Sequence, residues 1–284
     1  MNRIRPRAAL AAAVAASLFA PLPMAVPATA REPAPKGKAD DAKPSDVKAP
    51  QGNADASAGR PTGGPCRPIE TEGERYTVCT IDLRRERVRL FWLGVDGLPY
   101  ASLSSLAQAQ GRRLSFAMNA GMYDKGQAPV GLYVENGREM KGASTANGPG
   151  NFHLKPNGVF FVKGDRAGVS ETGRYLRARL KPDFATQSGP MLVIDGVIHP
   201  KITQEGPSQK IRNGVGVRDD GRVAVFAISE RPISFGPFAR LFRDELGCRN
   251  ALFLDGSVSS LYAPGLGRSD LSRPLGPLVG AVDR

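Results

Sequence analysis

Residues 222–228 and 251–254 are apolar runs of strand length, and the stretch between them constrains the fold more than any other feature. Phe238, Leu241, Phe242 and Leu246 recur there at helical spacing. Arg240, Arg243, Asp244 and Glu245 take the opposite face, and Gly247 is placed to stop the helix. Strand, helix and strand in that order predict a βαβ unit with a right-handed crossover and a parallel strand pair. The fold class that follows is α+β, or α/β-like, as a single domain with a mixed β-sheet and a few helices.

The rest of the chain agrees with a sheet-rich domain. Residues 76–82 and 87–93 read as a hairpin around a charged break. Residues 102–110 read as a short helix with Ser102 as N-cap, Leu103, Leu106 and Ala107 inward, and Gly111 as its stop. Residues 114–118 form an apolar strand running into Asn119-Ala120-Gly121. Residues 132–135 and 159–162 are further strands beside Asn-Gly turns, and 191–198 is a hairpin closed by Asp195-Gly196. No internal repeat is visible.

The N-terminus carries a different message. Arg3, Arg5 and Arg7 precede an uncharged run at 8–20, Pro21 and Pro23 break it, and Ala28-Thr29-Ala30 supplies small residues for a signal peptidase. Residues 1–30 therefore read as a signal peptide, too short in its apolar part for a spanning helix. An uncleaved membrane anchor is the competing reading. Residues 31–64 hold no aromatic residue, and Val47 is their only large aliphatic one. Such a segment cannot bury enough apolar surface to offset chain entropy and is expected to be a disordered linker. Residues 65–284 remain as the folded domain, without an uncharged stretch of spanning length, and the expected location is secreted or periplasmic.

Of the formal charge of +12, the leader holds +3 and the linker +1, which leaves the domain at +8. That balance favours anionic partners. The cations are scattered and no nucleic-acid motif accompanies them, so an anionic glycan is favoured over nucleic acid. Three cysteines, Cys66, Cys79 and Cys248, allow three disulfide pairings, and all three stay open. With only His153 and His199 and no Cys-x-x-Cys, a closed Cys/His zinc site is not supported. There is no Gly-x-Ser-x-Gly elbow and no Walker-type loop.

Ligands favour the edge where parallel strands end. The first C-terminal run ends in Ser229-Glu230, and the second in Asp255-Gly256-Ser257 with Ser259 and Ser260 beyond. Glu230 and Asp255 are thus expected to face one cleft, joined by Asn119, as suits acid/base work on a sugar. The plain alternative for Asp255-Gly256-Ser257 is a turn. Arg212, followed by Asn213, could grip a phosphate. His153 reads more readily as a structural histidine.

Seven ordered blocks then carry a resemblance. They are 119–123 (Asn-Ala-Gly-Met-Tyr), 129–133, 150–152, 155–160, 187–192 (Gln-Ser-Gly-Pro-Met-Leu), 212–217 and 254–257 (Leu-Asp-Gly-Ser). From about Tyr76 to Val279 the chain resembles the phosphodiester glycosidase family, most closely its bacterial YigE-like branch. That family includes the lysosomal enzyme that removes N-acetylglucosamine from a phosphodiester. The resemblance implies hydrolysis of a sugar-1-phosphodiester at the glycosidic carbon. It marks Asn119, Arg212 and Asp255 as polar signature positions, with Ser188 and Gly189 in a Ser-Gly block. Asp255, Glu230 and Arg212 are then the catalytic candidates, Glu230 on strand geometry alone. Gly121, Tyr123, His153, Asn157, Asn213, Ser257, Ser259 and Ser260 join Asn119, Ser188 and Gly189 as substrate-binding candidates. No cofactor is called for, and a divalent cation beside Asp255 is left open. The chain departs from the characterised branch at Met122-Tyr123, Asn213-Gly214 and Ser257-Val258-Ser259, which bears on substrate identity. The competing classes are a non-catalytic envelope protein that binds anionic glycans, and a hydrolase of another phosphodiester or of a carboxylate-bearing sugar.

Overall fold

The computed structural model describes residues 63–271 and 274–284. The expected signal peptide, 1–30, and all but the last two residues of the expected linker, 31–64, lie outside the described residues. The first strands are β1 (Cys66–Thr71), β2 (Glu74–Asp82), β3 (Glu86–Phe91), β4 (Leu114–Asn119), β5 (Tyr133–Glu135) and β6 (Arg138–Lys141). The middle of the chain supplies β7 (Gly158–Lys163), β8 (Arg166–Glu171), β9 (Phe184–Ser188), β10 (Met191–Ile194) and β11 (Val197–Ile198). The last are β12 (Asn213–Arg218), β13 (Val223–Ser229), β14 (Asn250–Phe253), β15 (Leu261–Ala263), β16 (Arg268–Ser269) and β17 (Leu278–Asp283). Three short helices accompany them: α1 (Leu103–Gln110), α2 (Thr172–Ala178) and α3 (Phe235–Arg240), which continues as a wider π turn through Glu245.

The strands form three sheets, in the orders β1-β2-β13-β12-β14-β10-β11, β16-β15-β4-β17-β3 and β6-β5-β9-β7-β8. The fold is α+β. Within the first sheet, β13 is buried on both faces and shows why. Alternate residues of a strand point to opposite sides. Ala224, Phe226 and Ile228 enter the core between the sheets, while Val223, Val225 and Ala227 enter a second core under α3. Phe226 is where the three sheets meet: its ring lies 4.9 Å from Phe116 of β4 and 5.7 Å from Phe160 of β7. On the other face, Phe238 and Phe242 seal the sheet at helical spacing, as their periodicity predicts.

Local signals hold well. Ser102 Oγ accepts from Ser105 N at the start of α1, and Gly111 closes that helix at φ 60°. Asp195 and Gly196, at φ 51° and 89°, turn β10 into β11.

Pairing differs from expectation in three places. The strands expected as a hairpin, β2 and β3, do not pair: β2 lies between β1 and β13, and β3 pairs with β17 in another sheet. The connection crosses between sheets, so that the two strands are each paired along their length with strands from elsewhere in the chain. The βαβ unit is split. β13 and β14 run parallel, but β12 is inserted between them and pairs antiparallel with both. Every ladder among the described residues is antiparallel, so the sheet is not mixed. The cysteine question also closes here: Cys66 and Cys79 sit opposite each other on β1 and β2 and are joined, leaving Cys248 free and buried.

Candidate active site

The insertion of β12 determines what the strand ends can build. β14 ends where β12 begins, and the chain then leaves the first sheet for the second: Leu254 N donates to Asn213 O, and Asp255 N donates to Ala120 O. Asn119, the last residue of β4, ties this seam together. Its Nδ2 donates to Asp255 O at 2.7 Å, and its Oδ1 accepts from Ser260 N and from Asn213 Nδ2, each at 3.0 Å. Asn213 Nδ2 also donates to Asn119 O, and Asn213 Oδ1 accepts from Ser259 Oγ at 3.0 Å. Both amides are buried, so each bond made here also avoids an unsatisfied polar group. These residues position the Asp255 loop and lie behind it.

Arg212 is 1% exposed, the largest fully buried side chain among the described residues. Its Nε donates to Ile233 O at 2.8 Å and its Nη2 to Ser208 O at 2.6 Å. Its guanidinium carbon stands 3.6 Å from the Phe235 ring centre and 5.5 Å from that of Phe253. No Asp or Glu among the described residues holds its charge. Burial pushes its pKa down to about 10 with no anion to counter it. A buried cation without an anionic partner is costly unless something anionic visits it.

Asp255 is the complement. Burial pushes its carboxyl above the ordinary aspartate range, and the opposing influence is the Ser257 N–H, which donates to Oδ1 at 3.1 Å. Arg212 and Asp255 face the same pocket of about 370 Å³ and form no ion pair. Tyr123 and Ser257 also line it, as does Lys210. Tyr123 is anchored by its OH, which donates to Pro274 O at 2.9 Å. Asp255 is the one carboxylate among the lining residues.

Several sequence candidates fall elsewhere. The structure does not bring Glu230 into this pocket. Glu230 N donates to Arg75 O, and its carboxylate accepts from Thr77 Oγ1 and Arg268 Nη1, both at 2.6 Å, in a separate depression of about 710 Å³. The reason is the strand order: β12 separates β13 from β14, and beyond the end of β13 the Glu230 backbone continues the pairing with β2. His153, Asn157, Ser188 and Gly189 do not line this pocket. Asn157 Nδ2 donates to Phe152 O at 2.8 Å and its Oδ1 accepts from Thr172 Oγ1. A side chain on Gly189 would meet the carbonyls of Asn151 and Phe152 at 2.9 Å. That contact seats Asn151, which does line the pocket. Ser188 Oγ is buried with no partner among the described residues, and His153 Nδ1 lies 3.1 Å from Ala146 O. Gly121 lies against Thr186 and Gln187, and Ser260 Oγ donates to Val258 O at 2.7 Å.

Sequence reading missed Lys210, Ser208 and Asn151 as lining residues. The signal for Lys210 was its spacing from Arg212, since alternate residues of an extended segment share a side. Among the described residues no group of three or more His, Cys, Asp or Glu is arranged to hold a metal ion, and Asp255 is the one carboxylate lining this pocket.

An α+β domain thus places a buried cation and a carboxylate, not paired with each other, in one pocket at a sheet seam. A family model described as phosphodiester glycosidase matches residues 112–277, more than half of the chain and all of this seam. The chain belongs to the phosphodiester glycosidase family. It is 39% identical over 189 residues to "Uncharacterized protein YigE" of Escherichia coli strain K12, covering 66% of this chain and 73% of that one. Its fold is similar to the zebrafish N-acetylglucosamine-1-phosphodiester alpha-N-acetylglucosaminidase catalytic domain, auto-inhibited by its pro-peptide. The TM-score is 0.54 at 14% identity, over 77% of this chain and 82% of that one. A hypothetical protein from Synechocystis also matches, with a TM-score of 0.49 at 17% identity, over 77% of this chain and 61% of the other, less than two thirds of it. No helix among the described residues is long and apolar enough to cross a membrane.

Proposed function

We propose that this protein is an exported hydrolase that cleaves the glycosidic bond of a sugar-1-phosphodiester in envelope or extracellular glycan metabolism. The observation that carries the reading is the pairless pair: buried Arg212 and half-buried Asp255 face one pocket without touching. A phosphate between them satisfies the guanidinium, and a sugar carbon beside it meets the carboxylate.

The chemistry needs one carboxylate. Water adds to the anomeric carbon, the bond from that carbon to the phosphate oxygen breaks with its electron pair leaving on phosphate, and Asp255 takes the water proton. A carboxylate held above its ordinary range is a stronger base for that step. The leaving phosphate monoester is a stable anion and departs with little protonation. A second carboxylate acting as acid, the role that Glu230 would have filled, is unnecessary. Arg212 and Lys210 receive the developing charge.

Export rests on the leader at 1–30, the linker composition of 31–64 and the Cys66–Cys79 disulfide, which suits an oxidising compartment. The test is incubation with a panel of sugar-1-phosphodiesters in ¹⁸O-labelled water. Release of free sugar carrying the label supports cleavage at the glycosidic carbon. Label in the phosphate rejects that bond assignment. Binding of these esters without any turnover makes the protein a glycan-binding envelope component instead.

A further inference from the structure

The pocket that holds Arg212 and Asp255 has a neighbour of about 590 Å³, and Lys210, Gly256 and Ser257 line both. Gly256 forms the saddle: a side chain there would stand 2.4 Å from the Phe253 ring, so the backbone itself divides the lobes. Their side chains differ in the presence of carboxylate and amide groups. The first lobe has an amide, a carboxylate, a guanidinium and a phenol. The second has no Asp, Glu, Asn or Gln among its lining residues. The hydroxyls of Ser259 and Ser260 already donate their protons to the carbonyls of Ile211 and Val258, which leaves only their oxygens as weak acceptors. Three aliphatic side chains complete it, and one of them, Leu271, is 94% exposed.

We infer that the second lobe takes the aliphatic alcohol arm of a phosphodiester, with the phosphate held at the saddle by Lys210 and Arg212 and the sugar in the first lobe. This rests on the function proposed above and narrows its substrate class. A second sugar would bring several hydroxyls that need acceptors, and this lobe has no side-chain carbonyl or carboxylate to supply them. An alkyl chain needs none and gains by covering Ile211, Val258 and Leu271. Lys210 is exposed on the shared edge, where the single negative charge of a diester must sit. Hydrolysis then releases the sugar and leaves an alkyl phosphate.

The test compares two diesters of glucose 1-phosphate, one with hexanol and one with glycerol. The hexyl ester should show kcat/KM about tenfold higher, the worth of burying roughly two methylenes. Leu271→Asp should cut the hexyl-to-glycerol ratio about tenfold. The side chain is exposed, so the variant is expected to fold, and circular dichroism checks this. A ratio near one, or one untouched by Leu271→Asp, overturns the inference while leaving the proposed function intact. If neither ester releases sugar, the proposed function fails, and the lobe is judged by binding of hexyl phosphate against glycerol 1-phosphate in thermal-shift titrations. Tighter hexyl phosphate binding that Leu271→Asp abolishes supports the apolar lobe. Equal binding of the two refutes it.

Discussion

Replacing Arg212 with Met tests whether this arginine serves a ligand or the fold. Burial lowers its pKa to about 10, which corresponds to roughly 3 kcal/mol against the charged form in the folded protein. Against that stand the bonds to Ile233 O and Ser208 O, about 1 kcal/mol each, and the stacking on Phe235, about 1 kcal/mol. These nearly cancel, so Arg212→Met should change apo stability by no more than about 1 kcal/mol. For a unit of this size that is roughly 2–4 °C in Tm. A ligand at a hundred times its Kd adds about 2.7 kcal/mol to the wild type. Differential scanning calorimetry with and without a saturating sugar 1-phosphate should therefore show a Tm gain of roughly 5–10 °C in the wild type and almost none in the variant. Kinetically, loss of a charge-assisted contact should raise KM about ten- to a hundredfold. A drop of more than about 10 °C in the apo variant would mean that Arg212 is structural. Equal ligand shifts in both proteins would remove it from the site.

Four further outcomes follow from named contacts. Burial raises the Asp255 pKa, so the fold favours its protonated form; the resulting stability is present below the ordinary aspartate pKa and lost as pH rises through the raised one. Asp255→Asn should therefore raise Tm at pH 7, with the gain shrinking toward pH 4, while lowering kcat by about 10² or more and removing the acidic limb of the pH–rate profile. A wild-type kcat in this variant would exclude Asp255 from the chemistry. Asn119→Ala strips three bonds from the Asp255 seam and should cost about 2–4 kcal/mol in urea unfolding as well as activity; a stable but inactive variant would mean that Asn119 touches substrate. Cys66→Ala opens a cross-link spanning 13 residues and should cost about 3 kcal/mol, seen equally when wild type is reduced with dithiothreitol. Mass spectrometry of the exported protein should find Arg31 as its first residue, and a retained leader would contradict the assignment of 1–30.

Much was legible in the residues because much of it is local. Ser102 and Gly111 bound α1 through bonds within one turn, and Asp195-Gly196 closes its hairpin through two backbone angles. The apolar spacing around Phe238 and Phe242 marks the helix face before any partner is known. Asn119 and Asp255 stand out for the same reason, as polar residues set against apolar strand ends, whereas Arg212 is marked by the resemblance to the family.

Pairing belongs to the tertiary structure, because a strand's apolar pattern says which face it buries and not which neighbour it takes. β2 and β3 looked like a hairpin and went to different sheets; β13 and β14 looked adjacent and admitted β12 between them. That one insertion brought Asn213 to the seam and left Glu230 on the β2 side, bonded to Thr77 and Arg268. It also left Asp255 as the single carboxylate among the residues lining the pocket with Arg212. The choice of Cys79 for Cys66, out of three pairings, came from the β1–β2 register. Residue chemistry is carried by the chain itself, whereas the distance between two such residues exists only once the backbone hydrogen bonds of distant strands have been matched.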